Sequence, residues 1–452
     1  MADLPVHQRT GWLRRAIKLS INGIANGEYM KQKMTLQETL ARHTHTNEED
    51  WYPVFKARYG MEVVFRALHD VVGSGDVLTQ LYTCITAVDP IIAAGMEPKY
   101  GDIDFDSLSL AGPLPVGNNT RAVVFQHTFG IIAQDSMERA VKGLRGNGEE
   151  DMEEGSGGSF TLVMEDCAHC AGRMARSEDG VPLADVTIFS FGVEKMLDTR
   201  FGGAVWVNPR LGRMRSDVDR EIRSRLGSLG KIGMRLNCVT RAYVNQNRIL
   251  SRLGAAGTSL RTWMAAAGLY EPPISGEEMR GRLPYKPMRP SEWMNSKAAA
   301  QISMLPSNES ARSAIVDIYR DMLGNRNGIR IPGRILAAGK ALPLLRFPIF
   351  LDSTQKAEAV LQAVRGTGVL AERWYRPELF PGAENASVYR IPENRSGVKT
   401  STECSAQVVC LPTQLTTGRA RNACQAVLSV LSAVQGTTNP AQAGAPGIPD
   451  RH

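Results

Sequence analysis

The chain has 452 residues, is 43% hydrophobic and 22% charged, and carries 53 Lys and Arg against 46 Asp and Glu, a net charge of +7. Those proportions exclude disorder as the main state and leave room for two to three domains of roughly 150 residues. No run approaches the ~18 apolar residues of a membrane span. Arg14, Arg15 and Lys18 break the apolar part of the N-terminus, against a secretory signal, and seven thinly spread cysteines do not make a disulfide framework. A reduced, cytoplasmic protein is expected.

In chain order, residues 1–54 read as an N-terminal helical segment. Its basic, partly apolar octet Trp12–Leu19, together with the basic segment after residue 208, suits peripheral contact with a membrane, while the octet also suits an ordinary helix lying across a dimer partner. From 55 to 208, short apolar runs alternate with helical patterns: Val77–Ala87, Ala122–Gln126, Thr161–Met164, Val186–Phe191 and Ala204–Val207. That rhythm predicts one large α/β domain with parallel strand pairing. Within it, the Gly- and Glu-rich stretch 143–159 reads as an acidic surface loop.

Residues 209–290 hold 16 Lys or Arg against 6 Asp or Glu, a larger positive balance than the whole chain has. Val218, Ile222, Leu226 and Leu229 recur there at helical spacing, so the segment reads as a basic helical insertion. Residues 291–435 repeat a weaker α/β pattern, with Leu345–Leu351, Gln355–Val364 and Gln407–Leu411, and read as a smaller C-terminal domain. The Pro-, Gly- and Ala-rich 436–452 reads as a disordered tail.

The chemistry concentrates between Thr161 and Asn208. One strand ends in Glu165 and Asp166, a second in Phe189, Ser190 and Phe191, and Lys195 and the pair Gly202-Gly203 follow. Side chains just beyond the carboxyl ends of parallel strands line the ligand crevice, so an acid, a hydroxyl and a lysine converge there. Pyridoxal 5'-phosphate needs such a set: an amine for a Schiff base, a carboxylate for the pyridine nitrogen, and donors for the phosphate.

These residues resemble the DegT/DnrJ/StrS-type sugar aminotransferases, a family of fold-type-I pyridoxal phosphate enzymes. The run Glu165-Asp166-Cys167-Ala168-His169-Cys170-Ala171-Gly172 is similar to the family's acidic strand end, and Phe189-Ser190-Phe191, Lys195 and Gly202-Gly203 to its lysine motif. Tyr82-Thr83-Cys84, Ala94-Gly95, Pro98, Asp102-Ile103-Asp104 and Gln126-His127 with Gly130 extend the likeness, and Gly368-Val369, Arg376-Pro377 and Leu411-Pro412 echo it near the end. The resemblance implies a large domain with a mostly parallel seven-stranded sheet, a small C-terminal α/β domain and a homodimer with active sites at the subunit interface. It implies Lys195 as Schiff-base lysine and proton carrier, Asp166 as partner of the pyridine nitrogen, His169 near the ring oxygen and Ser190 as phosphate ligand. The implied reaction moves an amino group from an amino acid donor, glutamate or glutamine, to a nucleotide-linked keto-sugar.

The chain departs from the family at three places. The phosphate-cradling turn aligns with Tyr59–Val64, so Met61 replaces a hydroxyl, while a helix beginning at Gly60 would still offer backbone amides. Cys84 stands where an aromatic ring usually faces the cofactor. Ser291-Glu292-Trp293-Met294 matches the partner-subunit element poorly. Three other readings use the same residues. Cys167 and Cys170 form a CxxC around His169, which suits a redox pair or half of a zinc site, but a thioredoxin-like pair belongs at a helix start in a different βαβ context and a structural zinc wants a second ligand pair, so no metal is expected. The basic segment suits nucleic acid but lacks a recognition signature, or it meets an anionic substrate. A catalytically silent relative would bind the cofactor without turnover.

Overall fold

The computed structural model describes residues 34–145 and 160–436. The octet Trp12–Leu19, most of the acidic stretch 143–159 and the tail after Gly436 lie outside them. Every element below lies between Leu36 and Gly436.

In chain order these are α1 (Leu36–Thr44), β1 (Trp51–Val54), α2 (Ala57–Val72), β2 (Asp76–Gln80), α3 (Asp89–Ala93), β3 (Glu97–Gly101), β4 (Ile103–Asp104), β5 (Ser109–Leu110), β6 (Thr120–Gln126), α4 (Gln134–Arg145), β7 (Leu162–Asp166), β8 (Val186–Ser190) and β9 (Gly203–Val207). Four helices follow: α5 (Arg210–Met214), α6 (Ser216–Gly227), α7 (Met234–Arg252) and α8 (Gly254–Ala266). The last part holds α9 (Glu292–Ile302), α10 (Leu305–Leu323), β10 (Ile329–Arg330), α11 (Gly333–Leu336), β11 (Arg346–Leu351), α12 (Thr354–Gly366), α13 (Lys399–Gln407), β12 (Val408–Pro412) and α14 (Thr417–Gly436).

Seven strands form the main sheet in the order β1-β9-β8-β7-β6-β2-β3. Pairing is parallel from β3 through β8, and β9 alone runs against the rest, antiparallel to both β8 and β1. The mostly parallel seven-stranded α/β sheet expected of the fold class is therefore present. Two of its strands escape the apolar-run criterion. β1 and β3 contain Pro53 and Pro98, which cannot donate to a ladder, and both lie at sheet edges where proline is tolerated. The run Val77–Ala87 overshoots its strand, which ends at Gln80 before a short 3-10 turn at Ile85–Ala87.

Strand residues alternate between two buried faces. Ala122, Val124, Met164, Ile188, Val205 and Val207 pack with Met61, Val64, Val218, Ile222 and Leu226, placing α2 and α6 on one side. Leu78, Val123, Phe125 and Val163 meet Met137 of α4 on the other. Burial on both faces is what permits a parallel sheet. Three of the four apolar positions read in the basic segment, Val218, Ile222 and Leu226, thus join the sheet's core, while Leu229 lies beyond the end of α6, packed against that core. Arg223 and Arg225 anchor the same helix, pairing with Asp50 at 2.8 Å and Asp70 at 2.6 Å. The antiparallel sheet β10-β11-β12 packs against α12 and α13, with α14 lying on α10 and α12, and its Phe347, Ile349 and Val409 share one apolar cluster with Trp51, Tyr82 and Phe129 beside the main sheet. Among the described residues no helix is long and apolar enough to cross a membrane.

Candidate active site

A cavity of about 550 Å³ opens at the carboxyl ends of β2, β6, β7 and β8, within the size range of small-molecule sites. Lys195, Asp166, His169, Ser190, Met61 and Cys84 all line it. Gly60 does not. The helix starts three residues earlier than expected, at Ala57, which puts Gly60 in its first turn against the sheet, where a Cβ would lie 2.5 Å from Val205 Cγ2. The helix end facing the cavity is instead formed by Lys56, Ala57 and Arg58.

Lys195 sits in the connection between β8 and β9. That connection is closed at its base by the Phe191 amide donating to the Gly202 carbonyl at 2.9 Å, and Gly202 in turn donates to Phe55 on the β1 side at 2.9 Å. Gly203 permits the close approach: a Cβ there would lie 2.7 Å from the Phe189 carbonyl oxygen and 2.9 Å from the Ala57 nitrogen. Two non-glycine residues near the lysine hold left-handed backbone, Glu194 at φ 61° and Arg200 at φ 75°, the kind of strain that concentrates at functional sites. Lys195 is half-buried and has no hydrogen-bond or ion-pair partner among the described residues. Its Nζ lies 5.7 Å from the centre of the Trp374 ring. Burial pulls the amine below the usual lysine range, Cys84 and Asp166 oppose that, and the Arg58 guanidinium reinforces it.

Asp166 ends β7 and takes the Ala168 amide on Oδ1 at 2.9 Å. Its other oxygen receives no hydrogen bond from the described residues. Burial raises its carboxyl, against the pull of the Ala168 amide, Lys195 and His127. Behind it, Glu165 is buried and fully engaged, accepting from Thr187 Oγ1 at 2.6 Å, the Ala175 amide at 2.9 Å and His127 Nε2 at 2.8 Å. Ligand atoms of His127, Glu165 and Cys167 lie within 4.8 Å of one another, yet the backbone amide of Ala133 occupies His127 Nδ1 at 3.1 Å. Cys170 is likewise buried, and both cysteines are free thiols.

His169 accepts the Phe129 amide on Nδ1 at 3.0 Å, and its Nε2 lies 3.1 Å from the Tyr375 hydroxyl. Burial, with Lys195 and Arg346 nearby, holds its pKa well below the ordinary histidine value. The ring is therefore neutral with its proton on Nε2. Ser190 Oγ accepts from the Gly192 amide at 3.4 Å at the cavity edge.

Several wall residues were not selected from sequence. Trp374 and Tyr375 follow the echo at Gly368-Val369 and immediately precede Arg376-Pro377, so the passage drew notice without its aromatic pair. Trp374 and Tyr375 lie parallel to the His169 ring, within 20° and 11° of it. From α7, α8 and the residue stretch after them come Tyr243, Asn247, Arg261 and Tyr270. The seat of that hairpin is aromatic, with Phe201 against Tyr243 at 5.1 Å and Tyr243 against Tyr270 at 5.4 Å. The following loop is latched to α2 by Lys56 with Glu271 and by Arg58 with Glu278. Arg261, by contrast, has no carboxylate partner among the described residues, and its Nε is buried without a hydrogen bond.

No protein-family model and no curated sequence matches the chain. Solved structures do. Spr1654 of Streptococcus pneumoniae in its PMP form is 18% identical, covering 92% of this chain and 96% of that one with a TM-score of 0.62. PseC of Helicobacter pylori, an aminotransferase involved in the biosynthesis of pseudoaminic acid, is 13% identical over 89% and 94% with a TM-score of 0.61. DesI, solved in the presence of its TDP-sugar product, is 18% identical over 89% and 85% with a TM-score of 0.58. With the sheet order and the cavity at its carboxyl edge, these likenesses establish that the chain has the fold-type-I architecture of the sugar aminotransferases.

Proposed function

We propose that the protein is a pyridoxal 5'-phosphate-dependent aminotransferase of the DegT/DnrJ/StrS type, acting on a keto-sugar. The observation that carries this is the convergence of an unpartnered Lys195, an Asp166 oxygen open to the cavity, a neutral His169 and Ser190 in one cavity of suitable size. These donors fit the cofactor. When bound, it supplies an electron sink that makes the hydrogen on the amino-bearing carbon acidic. Asp166 would hold the pyridine nitrogen in its protonated form. His169 would lie near the ring oxygen and, by donating its Nε2 proton to the Tyr375 hydroxyl, would leave that hydroxyl's own proton to serve it, while Ser190 and the first amides of α2 would hold the phosphate. Met61 offers no hydroxyl there, which leaves more of that task to the backbone.

Lys195 is the amine that would hold the cofactor, and in its neutral form it would serve as the base that takes up and returns a proton beside it. Its lowered pKa favours the neutral form that both tasks require. Trp374 and Tyr375 keep water from this side of the cavity. The unpaired Arg261 suits an anionic part of a substrate, either the carboxylate of a glutamate or glutamine donor or a phosphate of a nucleotide-linked sugar. On this reading 55–208 is the cofactor-binding domain, 291–435 the smaller one, and the enzyme a cytoplasmic homodimer.

The test is the visible absorption of the purified protein with added pyridoxal phosphate, beside Lys195→Ala, before and after glutamate. A band that requires Lys195 and bleaches with glutamate supports the reading. A Lys195-dependent band unmoved by any amino donor favours a silent relative, and no band at all defeats the cofactor assignment.

A further inference from the structure

Eleven large apolar side chains are exposed among the described residues, and seven of them lie between Met234 and Leu269. They sit on the helical hairpin formed by α7 and α8, joined through Leu253 and Gly254. Its two sides differ sharply. Leu236, Val239, Tyr243 and Leu250 of α7 are buried, and Tyr243, Asn247 and Arg261 reach the cavity. The outward side carries Ile249 at 60% exposure, Leu253 at 48% and Trp263 at 61%.

The charge on this outward side is of one sign. Between Ile222 and Tyr270 the chain has eight Lys or Arg and no Asp or Glu. Arg223, Arg225 and Lys231 at its start are paired with carboxylates from elsewhere. Arg248 and Arg252, four residues apart on the exposed face of α7, have no ion-pair partner among the described residues. Exposed isoleucine, leucine and tryptophan together with unpaired arginine on one helical hairpin is the composition of a segment that lies in a lipid interface.

We propose that the α7–α8 hairpin docks the protein on an anionic lipid surface, with Ile249, Leu253 and Trp263 entering the acyl boundary and Arg248 and Arg252 meeting lipid phosphates. A second copy using the same face would bring two acid-free basic surfaces together, which repel. A nucleic acid would use the arginines but would gain nothing from the exposed Ile249, Leu253 and Trp263. Docking of this kind does not depend on the cofactor assignment, so each can fail without the other.

The full-length protein is sedimented with vesicles of phosphatidylglycerol and phosphatidylcholine in equal parts, and with phosphatidylcholine alone. Expected is partition onto the anionic vesicles only, falling as salt is raised, with a blue shift of tryptophan emission that is lost in Trp263→Phe. Arg248→Glu with Arg252→Glu lowers that partition at least about tenfold, as does Ile249→Ser with Leu253→Ser; all four positions are exposed, so the fold is spared. Absence of binding, equal binding to neutral vesicles, or binding undiminished in both double variants overturns the proposal. So does a sedimentation velocity result in which these variants split a dimer, because the face then belongs to a second copy.

Discussion

The imidazole of His169 shares its Nε2 proton with the Tyr375 hydroxyl oxygen 3.1 Å away, across a gap of 206 residues in sequence. Because the Phe129 amide already occupies Nδ1, the histidine can only donate to the tyrosine, and the phenolic proton is left free to point into the cavity. The Phe129 amide thereby fixes the tautomer of the ring assigned to the cofactor, and Tyr375 fixes its tilt. Tyr375→Phe removes the acceptor while keeping the ring in place. Pyridoxal phosphate affinity is expected to fall about tenfold, the equivalent of one lost hydrogen bond, with Lys195 reactivity retained; fluorescence titration with the cofactor measures it.

Lys195 gives a pH dependence with a definite sign. Burial lowers its pKa and Asp166 raises it, so the rate of cofactor capture should climb with pH and level off below the usual lysine range. Asp166→Asn takes away the opposing charge. Its plateau is expected at still lower pH, even though the captured cofactor is held more weakly. Stopped-flow absorbance across pH reads both effects.

A second buried acid bears on stability. Asp89, at the start of α3, takes the Tyr389 hydroxyl at 2.8 Å, and burial pushes its carboxyl up to about 8. A carboxyl raised in the folded state holds its proton longer than the unfolded chain does, so its stability contribution is present at low pH and is lost as pH rises from about 4 towards 8. Asp89→Asn does not titrate. Relative to the parent it should gain up to about 1.4 kcal/mol per pH unit within that window, which urea denaturation at pH values spanning it will show.

Gly203→Ala should cost more than an ordinary glycine replacement in a strand. The added methyl would press on backbone atoms of Phe189 and Ala57 rather than on a movable side chain. Overpacking of this sort costs about 1–3 kcal/mol. Since Ala57 begins the helix that faces the cavity, cofactor affinity should fall together with the melting temperature, whereas Gly254→Ala on the exposed hairpin should leave cofactor affinity unchanged.

What could be read from sequence follows from where each signal lives. Glu165-Asp166, Phe189-Ser190-Phe191 and Lys195 lie within about 30 residues of one another at the ends of strong apolar strands, so spacing alone brings them together. Tyr375 and Arg261 reach the same cavity through tertiary packing of segments with no local pattern of their own. The edge strands were hidden by Pro53 and Pro98. Gly60 looked like a phosphate turn because a glycine near a helix start usually marks close approach to a ligand; here the close approach is to Val205 inside the core. The basic segment looked uniform in composition, yet Arg223 and Arg225 are fastened to acids far away while Arg248 and Arg252 are not.

One reversed strand has a further consequence. Because β9 returns beside β8, the last rung between them pairs Ser190 with Gly203, and the lysine-bearing span is suspended from the two ends of that one rung. A parallel successor would have required a crossover helix, leaving the span moored at one end only. The sheet thus acts as a ruler: the reach of Lys195 toward Asp166 is set by strand register, and the cavity's remaining walls can vary in length without altering it.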